Sequence, residues 1–131
     1  MAVTWQDPIT TWGDGDRYTF EDWNRVIYDT AWLLEAIEDP DYNEQEFLSD
    51  HLVTITDFLP MTEWFAISVA LLAINQRLGN TVTAPGTTVT AQNFNLMETL
   101  LVRAKNKIDQ RIAIQYTNDG LYAGDPETWV R

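Results

Sequence analysis

The sequence predicts a single all-α domain, a bundle of three principal amphipathic helices, and three observations support that class. First, a chain of 131 residues suits one compact domain with a single core. Second, a hydrophobic content of 45% is typical of a globular protein rather than a disordered one. Third, three segments repeat one spacing of apolar residues, which places one side chain per turn on a common helical face.

We divide the chain into an extended N-terminal arm over residues 1–17, a helical bundle over residues 18–112 and a tail over residues 113–131. Pro8 and the acidic Gly-Asp-Gly-Asp turn at residues 13–16 favour extended and turn geometry in the arm. The arm is therefore expected to lead into the first helix without being helical itself.

Three aromatic residues, Trp23, Trp64 and Phe94, each begin one of the repeated stripes. The residues at the third, seventh, tenth and fourteenth positions after them are Val26, Thr30, Leu33 and Ile37, then Ile67, Leu71, Ile74 and Leu78, then Met97, Leu101, Ala104 and Ile108. Spacings that alternate between three and four residues match the 3.6-residue period of an amphipathic α-helix. The sequence therefore predicts three helices with similar buried faces.

The residue types at the expected helix starts agree with these stripes. Thr19 stands three residues before Asp22, which is the pattern of an N-cap with an acidic partner. Pro60 can open the second helix without losing a needed donor. Thr90 can accept a hydrogen bond from the first unpaired amides of the third helix.

The expected helix ends are marked as well. Pro40 ends the first helix, because proline disfavours helical geometry at the residue before it. Gly79 ends the second helix with a left-handed cap. The third helix is expected to run on toward Ile112.

The connecting segments are expected to differ in character. Residues 81–90 contain a Pro-Gly break and favour an extended loop. Residues 44–52 fit a short helix and residues 53–55 a short extended stretch, while the rest of the segment 38–60 stays open. At the C-terminus, Asn118-Asp119-Gly120 between alternating apolar residues predicts a hairpin-like tail, which needs to pack on the helices to be stable.

The net charge of −12 is unevenly distributed, with −13 on residues 1–63 and +1 on residues 64–131. Such a field repels phosphates, so nucleic acid is not expected as a partner. The acidic half is either a solvated surface or a face that meets a basic neighbour in an assembly. A membrane is not expected either, because the most apolar stretch, residues 64–74, is shorter than the ~20 residues that span a bilayer.

No pattern in the sequence predicts a catalytic, cofactor-binding or metal-binding residue, and we expect a protein that is not an enzyme. The acidic turn begins like a calcium loop, but Tyr18, Thr19 and Arg25 then occupy positions that need an oxygen ligand, a glycine and a glutamate. The chain has a single histidine, His51, and no cysteine. A zinc site or a catalytic triad therefore lacks the partners it needs.

Trp5, Trp12, Asn24 and Arg25 are the predicted interaction residues. The two tryptophans lie outside the helical stripes, so either the arm folds back and their rings cover the bundle, or a ring docks into a neighbouring subunit. Asn24 and Arg25 follow Trp23 on the flank of the first helix. There they either hydrogen-bond the backbone of the arm near residues 9–12 or are solvated.

The segment DPITTWGDGDRYTFEDWNRVIYDTAWLLE resembles the opening of small structural proteins encoded in phages and prophages, especially of Gram-positive bacteria. Those openings read Pro-x-Thr-x-Trp, then an acidic turn, an aromatic residue, and an aromatic-Asn-Arg-hydrophobic helix start. The matching positions here are Pro8, Thr10, Trp12, Asp16, Phe20, Trp23, Asn24, Arg25 and Val26. A weaker aromatic-Asn helix start recurs at Phe94-Asn95, whereas Phe65 follows Trp64 where asparagine is expected.

The resemblance covers the first 35 residues and implies a non-enzymatic virion protein of a tail, baseplate, fibre or neck. It implies localisation to the virion, and to the host cytoplasm during assembly. The implied partners are other virion proteins and further copies of the chain, because a virion position normally repeats by symmetry. Two alternatives remain: a small acidic regulatory or inhibitor protein that mimics nucleic acid and binds a basic partner, and a small hydrolase with paired carboxylates in a pocket.

Overall fold

A computed structural model of the chain describes residues 3–16, 18–54 and 61–121, the last ten of these by their backbone alone. Four helices lie in this part of the chain: α1 (Phe20–Ala36), α2 (Glu44–His51), α3 (Met61–Arg77) and α4 (Ala91–Leu121). The described residues contain no β-strand, so the predicted all-α class is confirmed. The short α2 is the helix expected within residues 44–52.

The three long helices pack against one another in pairs and form the bundle. The fourth residue of each is aromatic, and the rings of Trp23, Trp64 and Phe94 meet with centroids 5.2, 5.9 and 6.3 Å apart. The first turns of α1, α3 and α4 therefore lie at the same end of the bundle. The shared starting residue of the three predicted stripes is the aromatic cluster that closes this end.

Contacts further along the helices show that all three run in the same direction. The pairs are Arg25 with Glu98, Trp32 with Lys105, Ser68 with Met97, and Asn75 with the carbonyl of Leu100. In each case a later residue of one helix meets a later residue of its neighbour. Because the helices are parallel, the chain has to return to the same end of the bundle between α1 and α3 and again between α3 and α4.

The predicted stripes form the core. Every stripe residue is buried except Ile37, which is half-buried at the end of α1. Thr30, the polar member of the first stripe, is fully buried and donates from its hydroxyl to the carbonyl of Val26 at 2.8 Å. Burying each large apolar side chain contributes roughly 1.5–3 kcal/mol, so the three stripes supply most of the force that holds the helices together.

The helix ends follow the predicted capping residues. The Thr19 side chain accepts from the amide of Asp22, whose carboxylate accepts from the amide of Thr19, so the capping box is complete. The Thr90 hydroxyl accepts from the amide of Asn93 at 3.1 Å. Gly79 has φ +83 after α3, which is the left-handed conformation predicted for it. The predicted Pro60 start lies outside the described residues.

The predicted hairpin at the C-terminus is wrong. The backbone of α4 stays helical through Asn118-Asp119-Gly120 and reaches Leu121, nine residues beyond the predicted end of the bundle. An established helix gains one hydrogen bond for each residue it adds, whereas an isolated two-stranded hairpin is marginally stable. Residues 122–131 of the predicted tail lie outside the described part of the chain.

Candidate functional site

The N-terminal arm lies against α1 and α4 and is held there through its own backbone. The amide of Gln6 donates to Asp29 Oδ1 at 2.8 Å, that of Ile9 to Glu98 Oε1 at 2.9 Å, and that of Trp12 to Asn95 Oδ1 at 2.7 Å. The bonds recur at every third residue, the period of a polyproline II segment, whose amides are free to bind a partner. We call Arg25, Asp29, Asn95 and Glu98 the arm clamp.

Glu98 is the centre of the arm clamp and is fully buried. Besides the amide of Ile9, it accepts from the indole Nε1 of Trp12 at 2.5 Å. The Nη2 of Arg25 lies between its two oxygens, 2.7 and 2.8 Å away. A buried carboxylate is costly unless it is paired and hydrogen-bonded, and here two of its partners belong to the arm.

Arg25 supplies the positive charge that balances Glu98. Burial by itself lowers the pKa of Arg25, but the hydrogen bond and charge of Glu98 overcome this and raise the pKa above its ordinary value. The other terminal nitrogen, Nη1, binds Asp22 Oδ1 at 3.0 Å. The guanidinium therefore stays charged and links the first turn of α1 to the middle of α4.

Asp29 is the second fully buried carboxylate beneath the arm. Its Oδ1 accepts from Gln6, while Oδ2 has no hydrogen-bond partner among the described residues. Burial raises the pKa of Asp29 to about 7; the Gln6 amide and the charge of Arg25 act in the opposite direction, and the charges of Glu98 and Asp7 add to the rise. The protonated form is therefore favoured over most of the acidic range.

Asn95 and Asn24 perform the same task at equivalent positions, the fifth residues of α4 and α1. Asn95 accepts from the amide of Trp12 and donates to its carbonyl at 2.9 Å. Asn24 accepts from the amide of Val53 and donates to its carbonyl, both at 2.9 Å. Each asparagine thus holds one residue of an extended segment by both of its backbone polar groups.

The rings of the arm add apolar contacts at two levels of the bundle. Trp12 packs on Tyr18 with centroids 4.3 Å apart, and Tyr18 stacks on Phe94 at 3.5 Å. Trp5 meets Trp32 edge-on at 5.3 Å, and the Lys105 ammonium lies 5.4 and 5.1 Å from these two rings. The arm is therefore anchored by one tryptophan near each end.

The four predicted interaction residues have different surroundings. Trp5 and Trp12 are half-buried on the chain's own bundle, which is the first of the two predicted alternatives. Neither alternative predicted for Asn24 and Arg25 is found, since they are neither bonded to the arm backbone nor simply solvated: Asn24 holds Val53, and Arg25 acts through Glu98. Asn95, from the later aromatic-Asn start, binds the backbone of Trp12 instead.

Sequence reasoning missed the two buried carboxylates, Asp29 and Glu98. Each stands beside a stripe residue, Asp29 before Thr30 and Glu98 after Met97. A charged residue that borders an apolar stripe usually lies at the edge of the solvated face. Asp29 lies six residues after Trp23 and Glu98 four residues after Phe94, so the two carboxylates do not share a repeated position that the sequence could have marked.

The outward face of α3 differs from that of α4. Between Glu63 and Arg77 the helix carries no charged residue. Met61, Phe65 and Val69, one turn apart from each other, are exposed by 47, 61 and 47%. The exposed residues of α4 up to residue 111 are all polar. A groove of about 280 Å³ runs beside this face, lined by α3 and by residues 84–87.

Comparison with protein-family models, curated proteins and solved structures finds no match for this chain. Among the described residues, no group of three or more His, Cys, Asp or Glu side chains is placed to hold a metal ion. No helix in this part of the chain combines the length and apolar character needed to cross a membrane.

Proposed function

We propose that this chain is a non-enzymatic structural protein of a bacteriophage virion, part of a tail, baseplate, fibre or neck appendage. In this proposal it occupies the host cytoplasm during assembly and the virion afterwards, and it contacts other virion proteins and further copies of itself. The proposal combines the resemblance of the first 35 residues with the surface chemistry of the folded chain.

The observation that carries the proposal is the uncharged, apolar outer face of α3. A chain with a net charge of −12 stays soluble by exposing charge, yet this helix exposes Met61, Phe65 and Val69. A contiguous apolar face rimmed by polar residues marks a protein–protein contact. Aromatic residues and methionine are enriched at such contacts, while charged residues are depleted at their centres.

The arm clamp supports an assembly role in a second way. Asp29 and Glu98 bind the arm, and Arg25 binds Glu98. Their role is thus to fix the course of the arm across α1 and α4. A rigid bundle with a fixed arm presents its outer faces in one constant geometry, as a repeated building block requires.

Mass spectrometry of purified phage particles tests the proposal. Peptides of this chain are expected in particles purified on a density gradient. The number of copies per particle should be a multiple of the number of symmetry-related positions in the appendage. The same measurement on the soluble fraction of the infected cells provides the comparison. Detection in that fraction together with absence from particles would overturn the structural role.

A second candidate, the acidic inhibitor, is favoured by one feature of the surface. Four carboxylates, those of Asp39, Asp41, Glu46 and Asp50, line a groove of about 240 Å³ beside α2. Their charge suits a basic cleft. In this case the chain is expected to displace labelled duplex DNA from a basic DNA-binding protein of the host. A wild-type chain that displaces no DNA would refute the inhibitor role. Neutralising Asp41, Glu46 and Asp50 together as amides should abolish the displacement, and an unchanged displacement by this variant would refute the part assigned to the groove.

A further inference from the structure

The bonds that hold the arm do not depend on which copy of the chain the arm belongs to. Its three backbone bonds join residues 23, 83 and 89 positions apart, and their acceptors are Asp29, Asn95 and Glu98 on α1 and α4. Between arm and bundle the chain is continuous only through the turn that follows Trp12. The arm of a second copy presents the same amides and the same rings, so it fits the arm clamp equally well.

The arm clamp is costly to leave empty. Glu98 and Asp29 are fully buried and accept hydrogen bonds from the amides of Ile9 and Gln6, and Glu98 accepts from the indole of Trp12 as well. Without an arm these carboxyl groups lose those donors, and a buried polar group that lacks its hydrogen bonds is unfavourable. An arm that leaves its own bundle is therefore expected to be replaced by the arm of a neighbour.

The turn between the arm and α1 can serve as the hinge of such an exchange. The amide of Asp16 donates to the carbonyl of Gly13 at 3.0 Å, and the amide of Gly13 donates to Asp16 Oδ2 at 2.7 Å. Residues 13–16 are all exposed, so water can replace both bonds. Gly15 has φ +91, in the left-handed region, and an added Cβ there meets no atom within 4 Å. Straightening the turn thus breaks only exposed, local bonds.

The length of the linker determines how two copies that exchange arms meet. Six residues separate Trp12 from Thr19, and this stretch spans at most about 25 Å when fully extended. Trp12 binds Asn95 near the start of α4, and Thr19 caps α1, so both ends of the linker lie at the end of the bundle that the aromatic cluster closes. Two exchanged copies therefore face each other by these ends. Each gives one arm and receives one, so the contact is isologous and closes as a two-fold dimer.

We propose that the arm clamp binds the arm of a second copy of this chain, in a reciprocal exchange about a two-fold axis at the aromatic end of the bundle. The inference rests on the proposed assembly role. A short linker gives the chain's own arm an effective concentration in the millimolar range. An assembly holds neighbouring copies at fixed short distances, so a neighbour's arm competes with it there. Exchange of identical segments is a low-cost route to dimers, because the new contact repeats the old bonds.

The substitution Gly15→Ala shifts the balance between the two forms. Alanine is strained at φ +91 in the closed turn and unstrained in an extended linker. Two turns straighten for each dimer that forms. Sedimentation equilibrium at up to about 1 mM chain, the range in which a neighbour's arm competes, should therefore show an association constant at least about tenfold above that of the wild type.

Two other glycines provide matched controls. Gly13→Ala alters the same turn, but its added Cβ has only an ordinary contact, 3.8 Å from Asp16 Oδ2. Gly79→Ala introduces the same kind of strain, at φ +83, in the cap after α3 at the opposite end of the bundle. Both should leave the association constant within about twofold of the wild type.

Paramagnetic broadening shows whether the dimer is held by exchanged arms. The chain has no cysteine, so Thr10→Cys places a single nitroxide on an exposed residue of the arm. This chain is mixed with a ¹⁵N-labelled copy that carries no nitroxide, both with Gly15→Ala. Exchange should broaden the amide signals of Asn95 and Glu98 in the ¹⁵N-labelled copy. A nitroxide on Gln76→Cys, exposed on α3, should leave these signals sharp.

Three results would overturn the inference. The first is an association constant of Gly15→Ala that equals that of Gly13→Ala. The second is an equal rise in Gly79→Ala, because dimerisation would then follow general destabilisation rather than the hinge. The third is a dimer in which the Thr10→Cys nitroxide leaves Asn95 and Glu98 sharp, because its contact then lies elsewhere.

These outcomes are independent of the test of the proposed function. If exchange fails while the chain is present in purified particles, only the exchange of arms is lost, and the virion role stands. If exchange is found while the chain is absent from particles, self-assembly stands and the virion role is lost.

Discussion

The substitution Glu98→Gln tests whether the arm is held by a buried charge. Glutamine keeps the size of the side chain but has one acceptor oxygen, whereas the carboxylate accepts from Ile9 on one oxygen, from Trp12 Nε1 on the other, and from Arg25 on both. Whichever way the amide turns, its NH₂ group faces either the Ile9 amide or the Trp12 indole. Arg25 also loses its fully buried counter-charge.

The expected loss in the free energy of unfolding is about 3–5 kcal/mol, the cost of removing one partner of a buried ion pair. A buried donor without an acceptor adds roughly 1–3 kcal/mol when it stands alone. The two costs overlap, because both fall on the same side chain and because Arg25 keeps its 3.0 Å bond to Asp22. The free energy of unfolding of a domain is typically only ~5–15 kcal/mol, so replacing one carboxylate oxygen of Glu98 by an amide nitrogen should produce a readily measured loss.

Two measurements decide the outcome. Urea unfolding followed by tryptophan fluorescence gives the change in stability, and hydrogen exchange locates it at the amides of Ile9 and Trp12. The control Glu21→Gln removes the same charge from an exposed position in α1, where the change should stay within about 0.5 kcal/mol. A loss below about 1 kcal/mol would refute the buried network. A large loss with unchanged exchange at Ile9 and Trp12 would show that Glu98 stabilises the bundle without holding the arm.

Three further predictions concern single side chains. Burial raises the pKa of Asp29 from 3.8 to about 7, so the stabilisation that its protonated form provides is complete below pH 3.8 and is lost as the pH rises through 7. Urea unfolding at pH 4, 6 and 8 should show the wild type losing a few kcal/mol relative to Asp29→Asn, at 1.36 kcal/mol per pKa unit, and a difference that is constant with pH would contradict this. Asn95→Ala and Asn24→Ala should each cost about 2 kcal/mol, since each removes two hydrogen bonds of ~1 kcal/mol. Hydrogen exchange should quicken at Trp12 in the first variant and at Val53 in the second, and the same response in both would argue against separate anchors. Gly79→Ala should lower the free energy of unfolding by about 1 kcal/mol, because alanine is strained at φ +83, and an unchanged thermal midpoint would show that the cap tolerates a side chain.

The helices and their buried faces were predictable because their signals are local. A stripe such as Val26, Thr30 and Leu33 is set by the 3.6-residue turn, and the Thr19 cap depends on Asp22 only three residues away. The hairpin prediction failed for a related reason. Asn118-Asp119-Gly120 is a strong turn signal on its own, but the backbone there continues a helix of 31 residues.

The arm clamp was beyond sequence reasoning because its bonds join residues that are far apart in the chain. Ile9 and Glu98 are 89 positions apart, and Arg25 and Glu98 are 73 apart. No periodicity relates such pairs. The resemblance drew attention to Asn24 and Arg25 as a motif, and the structure gives that motif two separate roles: Asn24 binds the backbone of Val53, and Arg25 neutralises Glu98.

The parallel bundle explains why asparagine follows the aromatic residue at two helix starts and not at the third. Non-helical residues precede each of the three long helices in the chain, and asparagine side chains hold their backbone. Asn95 of α4 holds the segment before α1, and Asn24 of α1 holds the segment before α3. If this pattern continued, the fifth residue of α3 would hold the segment before α4. That segment is instead held by Asn93, which accepts from the amide of Gly86 and donates to the carbonyl of Thr88.

Because Asn93 makes these bonds, the side chain at position 65 does not have to hold the segment before α4. Gly86 lies so close to Asn93 that an added Cβ would come within 2.7 Å of its Nδ2, so the segment is fixed tightly from the α4 side. With the segment secured there, the fifth residue of α3 is free to be an exposed aromatic. Phe65 lines the α3 groove together with residues 84–87. The substitution Asn93→Ala should accordingly speed hydrogen exchange at the amide of Gly86, while the arm amides of Ile9 and Trp12 stay protected.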